Sequence, residues 1–108
     1  MYDELSDELM ISQKEESDVV EGSVRFLNLV IDITRENKIS NITLFGASHY
    51  LESLELNPKI LTKLIGAKFV VKNMASGYLI YIILKLRNKV ERVPYKIFVR
   101  NPIAVSQV

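Results

Sequence analysis

The chain has 108 residues, no cysteine and a hydrophobic content of 48%, so we expect one globular domain that uses neither disulfides nor thiolate metal sites. The formal net charge of +1 conceals a split: residues 1–21 hold eight acids and one base, whereas residues 59–100 hold ten bases and a single acid, Glu91. Both halves can still fold with this charge split, and the basic half favours a polyanionic partner.

The first half of the chain predicts a tail followed by strand, helix and strand. Residues 1–18 are predicted to be a mobile acidic tail, and residues 19–20 a very short strand. Ser23 is a suitable N-cap, and apolar side chains follow it at helical spacing, so residues 24–34 predict a largely buried helix. The β-branched run Ile39–Phe45 predicts a strand.

The segment 48–65 predicts helical structure, as one kinked helix or as two short ones. Asn57 followed by Pro58 forms a second helix-start signal inside it. Residues 68–72 then predict a short strand.

The strongest predicted strand covers residues 78–87, and it is apolar on both faces until Lys85, so we expect it to be central. Residues 93–99 predict an edge strand because Pro94 lacks an amide hydrogen. Residues 102–108 are expected to be a frayed end.

The predicted order is strand–helix–strand–helix–strand–strand with an extra C-terminal strand. This order predicts an α/β fold class, specifically an α+β sandwich in which two helices pack on one face of a small mixed sheet. The whole unit forms a single domain over residues 19–101. The longest apolar run, residues 78–84, is too short to span a bilayer, and the acidic N-terminus differs from a secretory signal.

Three segments match a known family in order and spacing: the predicted helix 24–34 leading into Ile39–Phe45, the turn 45–48 leading into 51–54, and the long strand 78–87 that ends in bases. Together they resemble the Alba family of small α/β domains that bind DNA and RNA. The resemblance covers roughly residues 19–90. It implies a homodimer or heterodimer that binds nucleic acid without strong sequence preference.

The turn at residues 46–49 lacks the bases that the family usually carries there, so the hairpin 78–100 is the better candidate site. If Arg87 faces Arg92 across a four-residue turn, side chains of alternate residues form one basic face with Tyr81 and Phe98. A register slip of one residue would destroy that face. The predicted nucleic-acid-binding residues are Lys85, Arg87, Lys89, Arg92, Lys96 and Arg100.

An alternative interpretation leaves this hairpin as a solvated sheet edge whose charges prevent aggregation. A second basic set is interpreted as an ordinary solvent face. It comprises Lys59, Lys63, Lys68 and Lys72.

We therefore predict a non-catalytic nucleic-acid-binding protein, of DNA or RNA, that uses no cofactor and no metal. We expect it in the cytoplasm, associated with the nucleoid, or in the nucleus of a eukaryote. The acidic tail would compete for the basic surface, so deleting residues 1–18 should tighten binding at low salt. The alternative function is a protein-interaction adaptor, of viral or mobile-element origin. An enzyme is the least favoured class, because no nucleophile and base are suitably placed.

Overall fold

A computed structural model describes residues 1–98, and strands rather than helices dominate it. The strands are β1 (Tyr2–Asp3), β2 (Glu8–Ser12), β3 (Val20–Phe26), β4 (Leu29–Thr34), β5 (Ile39–Phe45), β6 (Gly66–Met74), β7 (Gly77–Lys85) and β8 (Val90–Phe98). The helices are α1 (Ala47–Ser53) and a 3₁₀ helix (Pro58–Lys63). The predicted α+β sandwich with two helices on one face is therefore wrong.

The strands form two antiparallel sheets, one with the order β1-β2-β5-β4-β3 and one with the order β6-β7-β8. Both sheets contribute alternate residues to one buried core, for example Ile31 and Ile42 from the first and Ile80 and Val93 from the second. The two short helices add apolar side chains to the same core. Each sheet consequently turns its other face outward.

The predicted helix over residues 24–34 is instead a hairpin formed by β3 and β4. Leu27, placed on the apolar helix face by the helical spacing, lies in the turn and is 88% exposed. Leu29 and Ile31 are buried at a spacing of two residues, which is the strand period. The segment satisfies both periods, and its many β-branched residues favour the strand.

The predicted acidic tail contains a strand of the larger sheet. β2 pairs with β5 along its whole length, and Leu9 and Ile11 on it are 1% and 3% exposed. The acids do not prevent this pairing, because they lie in the turns or on the outward face while the two apolar residues alternate inward. Deleting residues 1–18 would thus remove part of the core, so that deletion does not test competition by a tail.

Other predicted elements are confirmed. β5 has the predicted bounds, β7 is the central strand of its sheet, and β8 is an edge strand. The helical segment consists of two short helices, and the Asn57 side chain caps the second by accepting a hydrogen bond from the Lys59 amide at 3.0 Å. The last residue of the predicted strand 93–99, and residues 102–108, lie outside the described residues.

Hydrogen bonds join the two sheets at both edge strands of the three-stranded sheet, β6 and β8. The Phe69 amide on β6 donates to Gln13 Oε1 at 2.7 Å, beside β2. The Tyr95 hydroxyl on β8 donates to Asn28 Oδ1 at 2.6 Å, in the turn between β3 and β4. Tyr50 on α1 donates to the Pro94 carbonyl, and its ring packs against that of Tyr95 at an interplanar angle of 41°, with centroids 5.1 Å apart. These contacts hold β6 and β8 in place on either side of β7.

Asp7 joins the turn between β1 and β2 to the start of α1. Its carboxylate accepts hydrogen bonds from the Ser48 amide at 2.9 Å, the Ser48 hydroxyl at 2.7 Å and the Tyr2 hydroxyl at 2.6 Å. Burial raises the pKa of Asp7, but the hydrogen bonds from Tyr2 and Ser48 outweigh that effect, so the pKa is lowered overall. Burial, followed by the hydrogen bond to Asp7, raises the pKa of Tyr2 to about 12.

The lowered pKa of Asp7 predicts a pH-dependent contribution to stability. The contribution is present above the unfolded-state pKa of about 3.9 and is lost as the pH falls through the lower, folded-state value. We expect Asp7→Asn to reduce the free energy of unfolding near neutral pH and to reduce it less in acid, as measured by urea titrations. Glu4→Gln, at an exposed carboxylate of the same turn, is the control. An Asp7→Asn effect that is equal at every pH would contradict the assignment.

The surroundings of Gly77 predict that this position tolerates no side chain. Its φ is 153°, and a Cβ added there would lie 1.8 Å from the carbonyl oxygen of Ile97 on the neighbouring strand. We expect Gly77→Ala to lower the free energy of unfolding by roughly 3 kcal/mol in a urea titration. Gly22→Ala is the matched control, because nothing lies within 4 Å of its added Cβ, and it should change stability by less than about 1 kcal/mol. Equal effects at both positions would refute the packing of β7 on β8.

Candidate functional site

The candidate site is the outward face of the three-stranded sheet, which we call the outer face. Its side chains alternate with core residues along each strand, and those of the edge strands are mostly exposed. The outer face consists of Lys68, Val70, Lys72 and Met74 on β6, Leu79, Tyr81, Ile83 and Lys85 on β7, and Val90, Arg92, Pro94, Lys96 and Phe98 on β8.

The strand register sorts these side chains into rows that cross the three strands. The middle row has Tyr81 on the central strand, and the rows on either side of it place cations on both edge strands. The rows are Lys68–Ile83–Arg92, Val70–Tyr81–Pro94 and Lys72–Leu79–Lys96. Tyr81 therefore lies at the centre of four cations.

Arg92 and Tyr81 are in contact at this centre. The Arg92 Cζ atom lies 4.6 Å from the centroid of the Tyr81 ring, within the range of a cation–π interaction. The contact orients the ring and leaves the guanidinium donors next to it. An aromatic ring and a fork of hydrogen-bond donors are thereby presented together.

The outer face carries five cations, and in residues 66–98 it carries no carboxylate. Glu91 is the one acid of β6–β8, and it belongs to the opposite face of β8, where its Oε1 lies 3.3 Å from Lys89 Nζ. The cations of the outer face thus repel one another without internal neutralisation. Such a surface attracts an anion with several charges.

Three of the four acids of residues 15–21 form ion pairs outside the outer face. Lys38 Nζ lies 3.2 Å from Asp18 and 3.4 Å from Glu15, and Arg35 Nε lies 3.5 Å from Glu21. These bases occupy the turn between β4 and β5. Within the part of the chain that the structure describes, no ion pair joins an acid of residues 1–21 to the outer face, so the expected competition for this surface has no contact to support it.

The predicted site residues fall into three groups. Lys85, Arg92 and Lys96 lie on the outer face. Arg87 and Lys89 lie in the turn between β7 and β8, where Lys89 pairs with Glu91. Arg100 lies outside the described residues.

The predicted register of the hairpin is wrong by an even number of residues. Arg92 pairs with Ile83 instead of Arg87, a shift of four along β7. The Leu86 amide donates to the Lys89 carbonyl at 2.9 Å and closes the turn earlier than predicted. Because side chains alternate with a period of two, a shift of four keeps the predicted residues that remain in the strands on the same face, while Arg87 moves into the turn.

Sequence reasoning missed the contribution of β6. Lys68 and Lys72 were assigned to an ordinary solvent face, whereas they border Tyr81 on the side opposite Arg92 and Lys96. The signal was present in their spacing, since two lysines four residues apart on a strand share a face. The short turn between β6 and β7 then places that face beside β7. Lys59 and Lys63 lie on the 3₁₀ helix and not on the strands that form the outer face.

No protein-family model, curated protein or solved structure matches this chain. Of the segments that resemble the Alba family, the first, residues 24–34, is a hairpin and not a helix. The function must therefore be argued from the outer face itself.

Residues 1–98 contain no group of three or more histidine, cysteine, aspartate or glutamate side chains arranged to hold a metal ion. None of the helices in this range has the length and apolar character needed to cross a membrane.

The exposure of Lys68, Lys72 and Lys96 predicts that they are dispensable for folding. All three are exposed, and none belongs to an ion pair within residues 1–98. We expect reversal of each to glutamate to change the free energy of unfolding by no more than about 0.5 kcal/mol. Thermal and urea denaturation would measure this, and a large loss would mean that the outer face is packed against other parts of the chain.

Proposed function

We propose that this chain is a non-catalytic nucleic-acid-binding protein and that the outer face is its binding surface. The observation that carries the proposal is the set of five cations on the outer face, four of which surround Tyr81, with no carboxylate among the described residues of that face. Nucleic acids are polyanions, and neutralising their phosphates releases counterions, which supplies most of the affinity of nonspecific binders.

The composition of the outer face favours nucleic acid over a simple polyanion. An apolar and aromatic centre, with Val70, Leu79, Tyr81 and Ile83, lies among the four cations of the two edge strands. A ligand that carries only charge would leave this centre uncovered. Nucleic acid combines phosphates with flat bases, and so matches both parts of the surface.

The cations of the outer face favour binding of low sequence specificity. Four of the five are lysines, and the ammonium group of lysine acts as a point charge that recognises phosphate. Phosphate contacts position a nucleic acid but carry no sequence information. The expected partner is therefore DNA or RNA of mixed sequence.

The test is a triple variant carrying Lys68→Glu, Lys72→Glu and Lys96→Glu. We expect it to lose most of its affinity for a fluorescein-labelled mixed-sequence oligonucleotide, measured by anisotropy over a salt series. Loss of three phosphate contacts should also reduce the slope of log affinity against log salt concentration by about 2 to 3.

The matched control reverses three exposed lysines away from the outer face: Lys14→Glu, Lys59→Glu and Lys63→Glu. It changes the net charge equally and should retain most of the binding. Equal losses in both triple variants would show that net charge alone governs binding and would overturn the assignment of the outer face.

A protein-interaction adaptor is the second candidate, and β3 favours it. Within residues 1–98 this strand pairs only with β4, and all of its residues except the partly buried Phe26 are exposed. A free strand edge can accept a strand from another protein. The adaptor would gain support if the unmodified chain bound no oligonucleotide at low salt.

A further inference from the structure

Tyr81 is surrounded by cations at distances that suit a chain of nucleotides. Along each edge strand the two cations are four residues apart, which is about 14 Å, and the two edge strands are about 10 Å apart. Tyr81 lies in the middle of this rectangle, whose corners are Lys68, Lys72, Arg92 and Lys96. A single base above the ring would have phosphates within reach of cations on either side.

A duplex fits this surface poorly. The major groove admits an α-helix or a two-stranded ribbon, and a third strand adds about 5 Å to the width. A three-stranded sheet would therefore meet a duplex at its phosphates alone. The bases would stay stacked inside the duplex, and the apolar centre around Tyr81 would gain no contact.

An unpaired strand fits both parts of the surface. Its bases expose flat π-faces that stack on aromatic side chains, and this stacking tolerates any sequence because every base has such a face. The Arg92 guanidinium lies over one face of the Tyr81 ring, with Cζ 4.6 Å from the ring centroid, so the base stacks on the opposite face and the guanidinium adds a positive charge on the far side of the ring.

From this geometry we infer that the ligand of the outer face is single-stranded nucleic acid, with a base stacked at Tyr81 and its flanking phosphates held by the four surrounding cations. This inference rests on the proposed function, because it names the form of nucleic acid that the same surface binds. Unpaired DNA and unpaired RNA share this chemistry.

The experiment measures the affinity of the unmodified protein for four ligands of equal length, by fluorescence anisotropy at one salt concentration. They are a DNA single strand, an RNA single strand, the DNA duplex of the same sequence, and an abasic DNA strand that keeps its phosphates. We expect one or both single strands to bind more tightly than the duplex and the abasic strand. Whichever single strand binds more tightly identifies the polymer.

Variants at Tyr81 test whether a nucleobase stacks on its ring. Tyr81→Leu keeps an apolar side chain but removes the ring, and we expect about tenfold weaker binding of the single strand with little change for the abasic strand. Tyr81→Phe keeps the ring and should bind as the unmodified protein does. Phe45→Leu is the matched control, since Phe45 contacts Arg25 at 4.9 Å on the outward face of the other sheet.

Failure of the single-strand inference and failure of the proposed function would give different results. A duplex or an abasic strand that binds as tightly as the single strands, with steep salt dependence, would overturn the inference and leave the proposed function standing. Tyr81→Leu and Phe45→Leu with equal effects would also overturn it. Absence of binding to all four ligands at low salt would refute the proposed function itself.

Discussion

The double-sided apolar character of β7 is the constraint on which the rest of the structure depends. Its inward residues, Tyr78, Ile80, Ile82 and Leu84, are all buried in the shared core. Its outward residues are also mostly apolar, so long side chains from neighbouring strands are needed around its outward face. β6 and β8 supply them, and their lysines and Arg92 surround the apolar centre that β7 presents. The apolar outward residues of β7 therefore account both for the packing of the outer face and for the cations that surround its centre.

The hairpin of β7 with β8 and the composition of its faces could be predicted from the sequence because strand alternation is a local property. Even the wrong register kept Lys85 and Lys96 on one face, since the error was an even number of residues. The place of β6 was harder to predict. Its value for the site depends on pairing with β7, and residues 68–72 considered alone show only an exposed basic strand.

The helix predicted over residues 24–34 failed for a different reason. Apolar residues there satisfy the helical and the strand periods together, and the choice is made by pairing with β5, a contact that local sequence does not reveal. The N-terminal segment failed similarly. Seven acids in residues 1–18 obscure the alternation of two inward residues, Leu9 and Ile11, which are buried because β2 pairs with β5. Local composition therefore predicted a tail where tertiary contacts form a strand.

The charge split along the sequence is also a separation in space. Acids of residues 15–21 pair with the turn between β4 and β5, whereas the outer face keeps five unneutralised cations. A neutral total can thus accompany a strongly basic surface, and the surface governs which ligands approach. The adaptor interpretation would place function on β3, within the other sheet, so the two candidate functions use different surfaces of the molecule.

The central claim is that the outer face is where nucleic acid binds. The most direct measurement is an NMR titration of the ¹⁵N-labelled protein with a short mixed-sequence oligonucleotide, following the backbone amide shifts. The account predicts that the largest changes fall on β6, β7 and β8, centred on Tyr81 and its neighbours Lys68 and Lys96. Changes confined to the β3–β4 hairpin, or an unchanged spectrum at low salt, would contradict it.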